Sequence, residues 1–244
     1  MSTGSAATRG TEPPASADAG IRRRARVDLG VLAASIVRAW ERSPDAVLDA
    51  RANAYGHGLR EVVAVALEAG VPTIRVSPAE AELAGTRRSR LMTVASASRP
   101  LIGESAYGLA PDSADAALLL TGEIVAVKRA EAGAPVSYGY TFRTERDTTL
   151  ALVALGYADG VPRLASNRAL VSIRGTRLPV VGRVAMDQFV VDCAELVPEV
   201  GEDAVLFGSA SRDEPTASEW AGWTQRSALE LTAGIGARVR RSYR

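Results

Sequence analysis

The stretch Arg51-Ala52-Asn53-Ala54-Tyr55-Gly56-His57-Gly58 follows directly on a short apolar run, Ala46-Val47-Leu48-Asp49. A strand that ends in a Tyr-Gly-x-Gly loop and then enters a helix can turn backbone N–H groups and a hydroxyl toward an anion such as phosphate. The same pattern suits a plain tight turn, and composition alone favours the turn. Tyr157 within Gly156-Tyr157-Ala158-Asp159-Gly160, taken by itself, reads as a half-buried core tyrosine. Met186 is by default a core filler. Asp159 and Asp187 suit turn positions or ordinary structural roles. Cys193 has no His or Asn partner in view and reads as a small buried hydrophobe.

Residue counts narrow the chemistry. Lys128 is the only lysine among 29 bases, and the remainder are arginine. It sits in Val125-Ala126-Val127-Lys128-Arg129, where it reads as a solvated strand-end charge. His57 and Cys193 are the only residues of their kinds. Together they exclude an internal disulfide, a His-rich metal site and most Cys-based metal centres.

The elements that must position these residues fall into two zones. From Val27 to Asp112 the pattern alternates strand and helix. Asp28 caps a helix with Leu29, Leu32, Ile36 and Val37 on one face. A strand at 46–49, a helix over 60–69 stopped by Gly70, a strand at 73–76 and a helix opening on Pro78 follow. That order implies a parallel sheet with its site at the C-terminal strand ends. After Ala116 short β-type runs at 125–127, 149–155, 169–173, 179–181 and 189–191 are separated by Gly and Pro, which suits antiparallel structure. Two late helices are expected over 215–221 and 227–233. The expected division is a disordered tail at 1–20, a partial (β/α)-barrel unit at 21–115 and a β-rich unit at 116–244.

The 244 residues are 47% hydrophobic and 23% charged, with 28 acids against 29 bases. This is the profile of a globular protein, and no whole-chain charge argues for nucleic acid. No run reaches the ~18 apolar residues of a membrane span. Arg22-Arg23-Arg24 lacks the apolar segment that follows an export signal and reads as a basic strand end, with an anionic-surface patch as the other option. The expected location is the cytoplasm.

Several ordered segments then resemble one family. The Arg51–Gly58 stretch is similar to the lysine-bearing motif of alanine racemases, which use pyridoxal phosphate to interconvert L- and D-alanine. Val136-Ser137-Tyr138-Gly139, Ala154 to Gly160, Ser166-Asn167-Arg168, Val181 to Gln188, Pro215-Thr216 with Glu219-Trp220, and Arg238-Val239 with Tyr243-Arg244 resemble further family signatures in the same order.

The resemblance implies a (β/α)₈ barrel holding the cofactor, then a β domain, in a dimer whose β domain completes the partner's site. It implies a lysine that carries the cofactor as an imine and acts as one base, and a tyrosine from the other subunit as the second. The tyrosine position is Tyr157, a substrate-contacting backbone position is Met186, and phosphate-side positions are Tyr55, Tyr243 and the N–H of Gly103.

The lysine position is Arg51. A guanidinium stays protonated and cannot condense with an aldehyde. The family histidine that orients the tyrosine has no counterpart. The arginine that meets the pyridine nitrogen falls at Leu101, and Arg99 could replace it only through a slipped register. A complete barrel takes about 250 residues, and its middle is missing around Arg87 to Ser98. The resemblance thus implies an impaired racemase with alanine as substrate, a homodimer or a heterodimer with an intact racemase, and pyridoxal phosphate without a covalent link. The alternative is a non-catalytic interaction protein.

Overall fold

The computed structural model of the chain describes residues 20–84, 91–92, 99–110, 113 and 115–244. The expected tail (Gly20 apart) and most of the 87–98 segment lie outside the described residues.

The N-terminal zone builds a small parallel sheet. Its strands are β2 (Val47–Asp49), β3 (Ile74–Arg75), β4 (Leu91–Met92) and β5 (Leu101–Ile102), in the order β4-β3-β2-β5. Leu48 pairs with Ile74 on one side and Ile102 on the other. A strand flanked on both sides is buried along its length, and Val47, Leu48 and Asp49 are all buried. An acid in that run requires a partner, because a bare carboxylate in such a place is costly.

Helices cover this sheet. In α1 (Leu29–Arg42), the Asp28 side chain accepts from the Val31 N–H at 3.0 Å, and Leu32, Ser35, Ile36 and Ala39 form the buried stripe. The helix expected over 60–69 is α3 (Leu59–Glu68), entered from a short turn, α2 (Arg51–Tyr55). The helix on Pro78 is α4 (Pro78–Leu83), closed by a reciprocal Ser77–Glu80 cap.

The antiparallel zone comprises β6 (Leu118–Ala130), β7 (Pro135–Val136), β8 (Phe142–Arg143), β9 (Thr148–Val153), β10 (Leu170–Ile173), β11 (Thr176–Val181), β12 (Phe189–Asp192) and β13 (Asp203–Phe207). The pairing order is β13-β10-β11-β12-β9-β6, and β13 also pairs with β6, so these strands close on themselves. Register shifts at Ile124/Ala126 and Val205/Phe207 give the curvature that closure needs. Phe189, Val153, Leu155 and Ile173 fill the interior, and Trp220 of α5 (Ala217–Thr224) is buried with its indole N–H on the Leu170 carbonyl at 3.1 Å. A further helix, α6 (Ala228–Ala233), follows.

Two pairings tie the zones together. β1 (Arg23–Val27) lies antiparallel to β6 and parallel to β14 (Arg240–Tyr243). The basic run at 22–24 therefore enters the large sheet, with Ala25 and Val27 inward and Arg24 and Arg26 outward. Neither β13 nor β14 was anticipated from the sequence. Among the described residues no helix is long and apolar enough to cross a membrane.

Candidate functional site

At the C-terminal end of β2 Asp49, 2% exposed, gathers three partners, two on its carboxylate and one on its backbone carbonyl. Arg51 donates from Nε to Oδ1 at 2.8 Å and from Nη2 to Oδ2, a two-point clamp. Tyr55 donates its hydroxyl to Oδ2 at 2.8 Å. Tyr107, fully buried, donates to the Asp49 carbonyl at 2.6 Å. Burial pushes the Asp49 carboxyl upward, but the hydrogen bonds from Arg51 and Tyr55 outweigh it and hold the group below the usual carboxylate range. The same hydrogen bond holds the Arg51 guanidinium above its ordinary value. Burial, then the bond to Asp49, raises the Tyr55 phenol.

This cluster braces an unusual backbone. Ala52, Asn53, Ala54 and Tyr55 all have φ between +49° and +56°. Left-handed turns cost L-residues about 1–2 kcal/mol each, so four in a row must be held from outside. Besides Asp49, the Glu80 carboxylate accepts from the Asn53 N–H at 2.6 Å, and the Asn53 side chain accepts from the Leu59 N–H at 2.9 Å. Gly56 continues the turn against α6, where a Cβ would stand 2.0 Å from the Thr232 carbonyl.

His57 is fully buried behind this turn, its ring 4.7 Å from that of Tyr107. Its Nδ1 lies 3.1 Å from the Tyr55 carbonyl and 3.2 Å from that of Ala54, so Nδ1 carries the proton; Nε2 is buried without a partner among the described residues. Burial pulls its pKa from 6.5 to about 4. The unfolded chain therefore binds a proton that the folded chain refuses. Stability from this group is complete above pH 6.5 and is lost as pH falls toward 4, by about 3 kcal/mol. Denaturant unfolding at pH 7 and 4.5 is expected to show this drop in the natural chain and to lose most of it in His57→Gln. An equal drop in both would contradict the assignment. Carboxylates held low, such as Asp49, act further down the scale.

Tyr243, at the end of β14, reaches the other side of the same loop. A Cβ on Gly58 would stand 2.1 Å from its hydroxyl, which also faces Glu61. Gly103 ends β5 and lies against Leu229 of α6, 3.2 Å from where a Cβ would be.

Tyr157 and Met186 sit elsewhere, and they sit together. The Tyr157 N–H donates to the Ala185 carbonyl and the Ala158 N–H to the Met186 carbonyl, both at 3.0 Å. Gly156 permits the approach: a Cβ there would lie 2.2 Å from the Met186 oxygen. Tyr157 is 43% exposed, with the Arg163 guanidinium 5.9 Å from its ring centre. Both residues line an open cleft of about 440 Å³ with Tyr138, Arg163 and Arg183. Arg51, Tyr55, Gly103 and Tyr243 do not line it. Buried Asp159 secures the Tyr157 turn, accepting from the Gly156 N–H at 2.9 Å and facing Arg23 and Arg238 at 3.4 and 3.3 Å. Arg238 also pairs with Asp187 at 2.7 Å, which joins the two loops.

The family described as alanine racemase, C-terminal domain, matches residues 117–243. The chain belongs to the alanine racemase family. Alanine racemase of Salinispora arenicola is 48% identical over 145 residues, which are 59% of this chain and 37% of that protein. The chain thus spans little more than a third of the length of such relatives. Among solved structures, alanine racemase from D-cycloserine-producing Streptomyces lavendulae superposes with a TM-score of 0.82 at 24% identity, over 92% of this chain and 97% of that one. Alanine racemase from Bartonella henselae, solved with covalently bound pyridoxal phosphate, gives 0.77 at 19% identity over 91% and 99%. At these identities the superpositions speak to the fold.

The residues present do not fit a covalently held pyridoxal phosphate of the racemase kind. Position 51 offers a guanidinium already clamped to Asp49, and the Tyr55 hydroxyl is spent on the same carboxylate. Lys128 is exposed on β6, opposite Leu150 in the large sheet rather than the small one. Arg99, weighed in the sequence as a replacement for the arginine expected at Leu101, faces elsewhere. It donates to the Asp45 carbonyl at 2.7 Å and to Thr73 at 3.2 Å, at the N-terminal end of the parallel strands, away from Asp49 and Arg51. Cys193 is buried, and burial pushes its thiol up to about 12.

Sequence reading missed Asp49 as the centre of the cluster. The available signal was an acid closing an apolar run two residues before a permanent cation. Arg163 carried no local signal, because its partner is aligned only by the fold; Arg238 stood in a quoted motif, but its pairing with Asp159 and Asp187 did not show in the sequence.

Proposed function

We propose that this chain is an alanine racemase relative that does not interconvert L- and D-alanine by itself. The observation that carries the reading is the Asp49–Arg51 clamp, at the position that the resemblance matches to the imine-forming lysine. With that amine absent, both covalent catalysis and one of the two bases are gone, a loss of many orders of magnitude in rate. The parallel sheet supports the same reading. β5 beside β2 is the neighbour relation by which a last barrel strand meets a first, and the units at 21–115 and 116–244 then stand as a shortened barrel and the racemase β domain. Any pyridoxal phosphate the chain takes would be held without a covalent link. The proposed location is the cytoplasm, and the proposed substrate class, if any activity persists, is alanine.

A second reading is favoured by the exposure of Tyr157 and Met186 in a cleft of their own. In it, the β domain docks on an intact racemase and supplies Tyr157 to that partner's site in trans. The test mixes this chain with a full-length racemase whose own counterpart tyrosine is replaced by phenylalanine. Co-purification and restored racemisation are expected with the natural chain and not with Tyr157→Phe. Equal activity with both, or none with either, contradicts the trans reading and leaves a homodimer without such a role.

A further inference from the structure

Asp49 does more at this site than accompany Arg51. The carboxylate is buried, is touched by both arms of the guanidinium and by the Tyr55 hydroxyl, and its own backbone carbonyl is held by Tyr107. The charged and titratable groups around position 51 are Asp49 on β2, Tyr55 on its own turn, Glu80 on α4, Arg75 opposite Asp49 on β3, and Tyr107 after β5. The two carboxylates, Asp49 and Glu80, both favour a cation there. Burial raises both Tyr55 and Tyr107, which keeps them neutral, and Arg75 is the register partner of Asp49 on the neighbouring strand.

We propose that Asp49 is a second, independent lock on the lost anchoring position: restoring the amine at residue 51 would not restore a nucleophile, because the carboxylate would hold that amine as its cation. Condensation with an aldehyde needs the neutral amine, whose lone pair forms the C=N bond while the carbonyl oxygen leaves as water. An ion pair within a few ångströms favours the charged form. The exchange of chemistry at this site therefore involves two residues, and reversing one is insufficient. The inference rests on position 51 matching the racemase lysine and is separate from the trans reading of Tyr157.

The experiment uses the full chain and its own internal standard. In Arg51→Lys, competitive acetylation with acetic anhydride across pH 7–11 reads the titration of the introduced amine against that of Lys128, which is exposed on β6. The introduced amine is expected to titrate above Lys128; titration at or below Lys128 overturns the proposal. In parallel, Arg51→Lys and Asp49→Asn/Arg51→Lys are incubated with pyridoxal phosphate at pH 7, treated with borohydride, and the modified peptide is identified by mass. Borohydride delivers hydride to the C=N carbon and fixes the link as a secondary amine. Labelling at residue 51 is expected to be at least about 10-fold lower in the single variant, since each unit of titration shift is tenfold in neutral amine. Equal labelling of the two variants, or no gain in the double, overturns the lock. If the double variant does not fold, as judged by circular dichroism, the acetylation profile of the single variant decides alone.

Discussion

Replacing Asp49 with alanine is expected to lower the thermal unfolding midpoint by roughly 5–15 °C. Removing one partner of a buried ion pair typically costs about 3–5 kcal/mol, because the other charge is left without compensation. Arg51 is 39% exposed at its side chain, so water recovers part of that loss and about 2–4 kcal/mol is the better expectation. The Tyr55 hydroxyl loses its acceptor in the same substitution. So does the backbone, since the Arg51 N–H also donates to Asp49 at 3.3 Å. The left-handed turn over Ala52–Tyr55 then lacks its main brace on the strand side.

Calorimetry of Asp49→Ala, Arg51→Ala and the double variant checks this. Arg51→Ala leaves a buried carboxylate with only the Tyr55 hydroxyl and the residue-51 N–H as donors, and is expected to cost a similar amount. The double variant is expected to cost less than the sum of the two, as contacting residues do. A drop of under 2 °C for Asp49→Ala would show that the cluster is incidental to the fold.

Local chemistry made part of this molecule legible in advance. Asp28 before an amphipathic stripe announced α1, and Pro78 at a helix start announced α4; both rest on helix-start rules that work without tertiary context. The short β-type runs between Gly and Pro announced β9 to β12. β14 was not legible because Arg240-Arg241-Ser242-Tyr243 has no apolar alternation. It is a strand only because β1, more than two hundred residues earlier, offers it an edge. β13 was missed although Val205, Leu206 and Phe207 are apolar; its place is fixed by closure onto β6, a long-range condition. The handedness of α2 was invisible for a different reason. Ala-Asn-Ala-Tyr has no local preference for positive φ beyond the asparagine, and the turn exists because Asp49, Glu80 and the Thr232 backbone surround it.

The site was legible to a similar depth. The resemblance named Tyr157 and Met186 separately, and the structure joins their loops through backbone hydrogen bonds. The proposed exchange at position 51 follows from the resemblance of Arg51–Gly58 to the lysine-bearing motif. Its meaning does not, because the acid that stabilises it reads in sequence as the last residue of an ordinary strand. Composition supplied the complementary constraint. With Lys128 exposed on a different sheet, the chain holds no second lysine to take over at residue 51.

The central claim is that the chain has exchanged an amine that condenses for a cation that pairs, and so lacks racemase chemistry of its own. The direct measurement is the formation of D-alanine from L-alanine by the purified full chain in the presence of added pyridoxal phosphate. The expected rate equals that of the cofactor alone in buffer. Turnover in the range usual for enzymes, about 1–10³ per second, would contradict the account, since racemisation would then proceed without an amine at position 51.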